Sequence, residues 1–194
     1  MLELIGLAKG VTRVAAANLM LTKRGPIFLA DTTINIDPTA KELAKISQLT
    51  ASLAKMFNIK PNIAILSYSN FGASKTENSK KIAEAVGYIH RHFPNVVIDG
   101  EVQADFALNP DLLKKEFPFS KLVNKKVNVL IFPNLDSANI TYKLMKELYD
   151  AESIGPIMLG LKKPAHILQL GASVDEMVNM AAVAVIDAQE KAKS

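Results

Sequence analysis

The sequence predicts an α/β protein: a mostly parallel sheet with helices on both faces. Short apolar runs recur along the chain, and segments with helical spacing separate them. Gly, Pro, Asn and Asp mark most of the junctions. Strands buried on both faces read as continuous apolar runs, and each parallel pairing needs a crossover helix.

Taken in order, VTRVAAANLML (11–21) is open between helix, favoured by its alanines, and strand, favoured by its ends. GPIFLAD (25–31) is an apolar run bounded by turn residues and reads as a strand. The next helix follows NIDPTAKELAKISQLTASLAKMF, with Asp37 as N-cap, Pro38 at the first helical position and Leu43, Ile46, Leu49, Leu53 and Phe57 on one face. NIAIL (62–66) is a buried strand. Ile82, Val86, Ile89 and Phe93 define a second helix, which Pro94 closes. VVID (96–99) is a strand, and NPDLLKKEF a short helix capped by Asn109 with Pro110 at its start. VNVLIF (127–132) is a strand, 137–149 a helix, 154–161 the last strand, and a long amphipathic helix runs from about Ser173 to the end. There are no internal repeats and no low-complexity linker.

Composition narrows the function classes. The 194 residues hold no cysteine, so disulfides and thiolate zinc sites are excluded. No run reaches the length of a membrane span, and Glu3 and the early glycines interrupt any secretory-signal pattern, so a cytoplasmic protein is expected. The net charge of +4 comes from isolated lysine pairs such as Lys80-Lys81 and Lys162-Lys163. Without interleaved aromatic residues these fit solvated helix faces first, attraction of a small polyanion second, and not nucleic acid.

In such sheets ligands bind beyond the carboxyl ends of the strands, at helix N-termini. Three stretches take that position. After 62–66 come Ser67, Ser69, Asn70, Gly72 and Ser74, whose hydroxyls and N–H groups suit a phosphate or carbonyl oxygen. A capping box of Ser74 with Glu77 explains the same residues, and the two readings are compatible. After 127–132, Asn134, Asp136 and Asn139 crowd a turn where Asp136 or Ser137 also suits a cap. In LKKPAHILQLGASVDEMV, Ser173 and Glu176 have capping-box spacing and His166 is a lone loop histidine. His90 and His92, two apart on a helix, make a poor metal pair. No Ser-His-Asp, two-carboxylate or Walker pattern is present.

At these stretches the chain resembles the phosphate acetyl/butyryltransferase family. LSYSNFGAS is similar to the family's Leu-Ser-x-Ser-x-x-Gly-Ser loop, DGEVQADFALN to its Asp-Gly-Glu-x-x-x-Asp-x-Ala segment, and FPNLDSANITYKL to its Pro-Asn/Asp-Leu-x-x-x-Asn-x-x-Tyr-Lys segment. IGLAKGVTRV, IFLADTTIN and IGPIMLGLKKP follow the same order. The resemblance covers nearly all of this chain but only the C-terminal part of the family unit. It implies a two-domain, isocitrate/isopropylmalate dehydrogenase-like fold with its N-terminal half missing. Residues 1–153 would form the second α/β domain, and 154–194 a return strand and helix belonging to the first.

One departure bears on activity. Where active members carry Asn-Asp-Leu-Ser-Arg-Gly, this chain reads His166-Ile167-Leu168-Gln169-Leu170-Gly171. The serine position is Gln169, the arginine position Leu170 and a downstream aspartate position Glu176. Leucine neither donates to an oxyanion nor neutralises phosphate, so no catalytic residue and no transferase turnover is expected. SNFGAS, HIL, VNMAAVAVIDAQ and GPIFLADTTIN resemble one branch, the phosphotransacetylase-like C-terminal domain of bacterial NADP-dependent malic enzymes. That branch implies a regulatory and oligomerisation domain that binds acetyl-CoA as effector. NADP and a divalent metal would belong to absent malic-enzyme domains, with no cofactor or metal on this chain. The alternative is a phosphate acetyltransferase, or a fragment of one, making acetyl phosphate and CoA from acetyl-CoA and phosphate. Under the first reading the Ser67–Ser74 loop and the Asn134–Asn139 turn would face the ligand from opposite sides. Lys163 and His166 would lie near its phosphates or pantetheine. Expected partners are a CoA ester, a second copy of the chain and the N-terminal malic-enzyme domains, with no nucleic acid or membrane. A bulky substitution at Ser69 or Asn70 is expected to leave the fold intact.

Overall fold

The computed structural model describes residues 2–149 and 152–193. Its strands are β1 (Ala15–Thr22), β2 (Gly25–Ala30), β3 (Asn62–Leu66), β4 (Val97–Val102), β5 (Val129–Ile131) and β6 (Glu152–Leu159). Its helices are α1 (Leu2–Ile5), α2 (Ala40–Met56), α3 (Glu77–His92), α4 (Ala104–Leu108), α5 (Pro110–Glu116), α6 (Leu135–Tyr149) and α7 (Val174–Ala192). One sheet holds the strands in the order β4-β3-β5-β2-β1-β6. The pairings of β2, β5, β3 and β4 are parallel, whereas β1 is antiparallel to both its neighbours.

Alternation along each strand sends side chains to two cores. Phe28, Ala30, Ile63 and Ile65 face one side, where Leu43, Ile46 and Leu53 of α2, Ile82 and Ile89 of α3, and Met180 and Val183 of α7 cover them. Ile27, Leu29, Ala64 and Leu66 face the other, under Ala107 of α4, Leu113 of α5, and Ala138 and Tyr142 of α6. Helices therefore cover both faces, as the continuous apolar runs require.

Local chemistry moves several element starts. Segment 11–21 resolves as strand β1 because Ala15, Ala16, Ala17, Leu19 and Met20 are all buried between two neighbours, an environment that outweighs alanine's helix propensity. Thr39, not Asp37, caps α2, through a reciprocal capping box with Glu42. Asp37 instead accepts from Lys81 Nζ at 2.7 Å. Thr76, not Ser74, caps α3 by accepting from Ser79 N–H, so the Ser74–Glu77 box does not form. Phe93 follows α3 at its C-cap and is partly exposed rather than on the buried face. Asn134 caps α6 by accepting from Ser137 N–H at 2.9 Å, which starts the helix ahead of Ser137. Asn109 and Ser173 cap α5 and α7 as expected, the latter with Glu176 in a capping box. α4 had no counterpart in the sequence reading. Ser194, the expected end of the last helix, lies outside the described residues.

β6 is hydrogen-bonded to β1 from Ala15↔Leu159 to Leu21↔Glu152, and the bridge Leu7↔Leu161 extends the contact. Among the described residues, the segment after 153 thus continues the same sheet as β1 to β5.

Candidate functional site

β2, β3, β4 and β5 run one way, and β6, antiparallel to an antiparallel strand, runs that way too. All the loops that follow them lie along one edge of the sheet. Strand order sets their spacing. Ser67–Ser74 and Asn134–Asn139 follow the adjacent strands β3 and β5 and lead to α3 and α6, which pack on opposite faces of the sheet. Lys163 and His166 follow β6, four strand spacings or about 19 Å from β3.

The β3 loop is folded around a carboxylate of its own chain. Glu101 is 1% exposed, and its Oε1 accepts from Ser69 Oγ at 2.9 Å and from Gly72 N–H at 3.2 Å. Ser69, 5% exposed, also accepts from Ser74 N–H at 3.0 Å. Phe71 N–H donates to the Glu101 carbonyl at 2.8 Å. The donors that suit a phosphate are therefore engaged by an internal anion, and a second anion against Glu101 would be repelled. Asn70 and Gln103 exchange two hydrogen bonds, which ties the loop to the segment after β4. Ser67 and Ser74 stay partly accessible, Gly72 is exposed, and the phenol of Tyr68 lies between Ser74 and Thr76. Because Ser69 is buried on a carboxylate, a bulky residue there is expected to displace the loop rather than leave it unchanged.

The same device recurs at Asp99. Its Oδ2 accepts from Ser120 Oγ and Lys121 N–H, both at 2.8 Å, and so holds the chain that leads to β5. Thus the Asp-Gly-Glu segment anchors two loops. Gly100 between them is required: at φ +148° a Cβ would lie 2.6 Å from the Ile65 carbonyl oxygen.

At the end of β2 the structure assembles groups the sequence reading had not singled out. Asp31 Oδ1 accepts from Thr33 N–H at 2.8 Å and Ile34 N–H at 2.9 Å, and Oδ2 from the Asn35 amide. Arg13 bonds Asn35 Oδ1 at 3.2 Å and pairs with Glu42 at 2.9 Å. Thr32 donates to Asn18 at 2.6 Å, and its carbonyl accepts from Asn139 Nδ2 at 3.1 Å. Asn139 is therefore a tie between α6 and β2, while Asp136 is exposed in the first turn of α6. Beside this network opens a cleft of about 570 Å³, lined in part by Arg13, Asn35, Ile36 and Asp37. A lone acidic residue closing an apolar run, as Asp31 does, was the one available sequence signal.

His166 and Lys163 separate. Lys163 is exposed. His166 has a side chain only 5% exposed. Its Nδ1 accepts from Met158 N–H at 3.2 Å, which leaves the proton on Nε2, 3.5 Å from Asp187 Oδ2. Lys191 donates to the same Asp187 oxygen at 2.6 Å. Burial by itself pushes the Asp187 carboxyl up, but His166 and Lys191 outweigh it and hold it below its ordinary 3.8. These groups border a cavity of about 380 Å³ between α2, β6 and α7. Gln169 and Leu170 are exposed. Glu176 pairs with Lys146 at 2.9 Å, and that hydrogen bond, with the Ser173 cap, lowers its pKa. Asn179, one turn further along, bonds Glu152 at the amino end of β6. Glu176 thus lies at the opposite edge of the sheet from the β3 and β5 loops. The space there, about 790 Å³, is bordered by Glu147, Glu152, Asp175 and Glu176 around Lys146, a poor host for polyphosphate.

Among the described residues no group of His, Cys, Asp or Glu could hold a metal ion, and no helix is long and apolar enough to cross a membrane.

Fold and strand order together define an α/β unit built on a mostly parallel six-stranded sheet. The model of the phosphate acetyl/butaryl transferase family matches residues 1–185, and the chain belongs to that family. The chain is 40% identical to the NADP-dependent malic enzyme of Haemophilus influenzae over 189 residues, covering 97% of this chain and 25% of that protein. It is 34% identical to the phosphate acetyltransferase of Bacillus subtilis over 187 residues, covering 96% of this chain and 58% of that one. Among solved structures, a phosphotransacetylase from Streptococcus pyogenes matches with a TM-score of 0.89 and 36% identity, covering 100% of this chain and 58% of that one. The chain thus spans between a quarter and three fifths of the length of these relatives.

Proposed function

We propose that this chain is the phosphotransacetylase-like part of a malic enzyme, a regulatory and assembly unit that binds acetyl-CoA as effector and carries no transferase activity. The observation that carries the reading is the pair Gln169–Leu170. Both stand exposed where the resemblance calls for a serine and an arginine, and Glu176 is engaged in a helix cap and an ion pair. An aliphatic side chain at the cation position removes charge stabilisation from acyl transfer between a thioester and phosphate. Match to the C-terminal quarter of a malic enzyme supports N-terminal malic-enzyme domains as partners, in a cytoplasmic protein whose NADP and metal sites lie outside this chain. The exposed apolar residues of α7, Val174, Met177, Val178 and Val185, fit a helix that packs on the remainder of the family unit.

Of the groups expected to bind, the exposed face of 67–74 and Lys163 are open to a CoA ester, and the cleft at Arg13, which the sequence did not indicate, is open as well. A second reading, a phosphate acetyltransferase or a piece of one, is favoured by the match across 58% of such an enzyme. Acetyl-CoA formation from acetyl phosphate and CoA separates them, together with calorimetry using acetyl-CoA. Heat of binding without turnover supports the effector reading, and turnover overturns it.

A further inference from the structure

We propose that the amino-terminal edge of the sheet, opposite the loops after β3 and β5, carries a second anion site. It takes a short linear run of phosphates on Lys23, Arg24, Lys60, Lys125 and Lys126. The inference goes beyond the acetyl-CoA reading and does not rest on it. The five cations come from three loops that lead directly into β2, β3 and β5. Those strands are neighbours in the order β3-β5-β2, so the loops lie side by side and the array spans about 10 Å. All five residues are exposed. Loops 22–25, 58–61 and 124–128 contain no Asp, no Glu and no aromatic residue.

Lysines elsewhere on the chain meet carboxylates: Lys81 pairs with Asp37, Lys115 with Glu116 and Lys146 with Glu176. Among the described residues none of the five does, and Arg24 donates to the Leu108 carbonyl instead. Nor does any of them sit in the last turn of a helix, where a cation complements the helix dipole. The backbone that presents them is cross-braced. Asn62 donates through Nδ2 to the Lys126 carbonyl at 2.8 Å, and Asn128 through Nδ2 to the Lys60 carbonyl at 2.9 Å. Asn128 Oδ1 accepts from the Asn62 N–H at 2.8 Å. The Lys126 ammonium lies over the β1–β2 turn, 3.6 Å from where a Cβ on Gly25 would stand, which sets it close to Lys23 and Arg24. Like charges held this near repel one another, and a polyanion relieves that repulsion. Glu152, which opens β6 two strands beyond β2, bounds the array and keeps the matching anion short. What the loops lack selects its chemistry. With no aromatic side chain they offer a base nothing to stack on, and with no exposed apolar side chain they form no centre for a protein interface. Ammonium groups bind phosphates as point charges.

Titration calorimetry of the 194-residue chain with sodium tripolyphosphate, at about 20 mM salt and without magnesium, tests the site. Tripolyphosphate is expected to bind at least about tenfold tighter than orthophosphate, and ATP within about threefold of tripolyphosphate. Lys60→Gln with Lys125→Gln and Lys126→Gln should weaken binding about 30-fold, roughly threefold for each cation, with the melting profile of the free chain unchanged. Lys125→Gln alone should cost about threefold, which keeps the test in force if the triple variant melts early. Lys41→Gln with Lys114→Gln and Lys143→Gln removes the same charge from three exposed helix positions and should change the affinity no more than about twofold. Absence of heat, orthophosphate binding as tightly, an equal loss in the helix variant, or full affinity in the loop variants each overturns the proposal. So does ATP binding more than about tenfold tighter, which marks a base site, or a hexaglutamate peptide binding as tightly as tripolyphosphate, which marks an acidic protein segment. Because the probe holds no CoA, failure here leaves the effector reading as it stands.

Discussion

Ser69 and Glu101 carry the tightest constraint in the β3 loop. Ser69→Ala leaves Glu101 Oε1 with the Gly72 N–H alone, and burying a carboxylate short of donors costs about 1–3 kcal/mol. Urea denaturation should show that loss, and Ser69→Leu should cost more by also displacing the loop. Equal stability of Ser69→Ala and wild type would mean that the hydroxyl does not support Glu101. Asp187 gives a pH test. Its folded pKa is depressed, so its contribution is complete above its ordinary 3.8 and is lost as pH falls through the folded value. Asp187→Asn should therefore destabilise the chain by about 1 kcal/mol at pH 7, with the difference shrinking below pH 4 in matched melts. A pH-independent difference would assign the effect to packing.

Elements begin where side chains satisfy their ends. Thr39 and Ser173 each close a reciprocal capping box, and alanine at either should cost about 1 kcal/mol, read from thermal melts. Gly100 holds β4 against β3 more stringently. Gly100→Ala drives a Cβ into the Ile65 carbonyl and should cost roughly 3 kcal/mol or more, enough to be seen as a loss of soluble, cooperatively melting protein. The caps also show why the sequence reading erred by a few residues. Asp37, Thr39, Ser74 and Thr76 are all competent caps, and the choice among them depends on whether a partner such as Lys81 takes the side chain first.

For the whole molecule, the strand order decides which loops can act together. The β3 and β5 loops are adjacent, the β6 segment lies about 19 Å along the sheet from β3, and Glu176 is at the far edge. Restoring Gln169→Ser and Leu170→Arg on this chain is therefore expected to yield no acetyl-CoA from acetyl phosphate and CoA, since a single changed loop does not assemble the groups. Measurable turnover by that double variant would show that this one segment had disabled the site.

Periodicity by itself determined the class of fold, the strand 62–66, the helices over Leu43–Leu53 and Ile82–Ile89, and the caps Asn109 and Ser173, while the strand expected over 127–132 shortens to Val129–Ile131. These are local matters: burial on one face writes a period into the chain, and a cap needs only neighbours a few residues away. The sequence also marked the Ser67–Ser74 loop as a place for an anion. Only the tertiary structure decided that the anion held there is Glu101, that His166 is buried against Met158 and Asp187, and that 11–21 is a strand. Each of those also depends on partners distant in the chain, such as Leu159 opposite Ala15 or Glu101 beneath Ser69, brought close by pairings that no local pattern encodes.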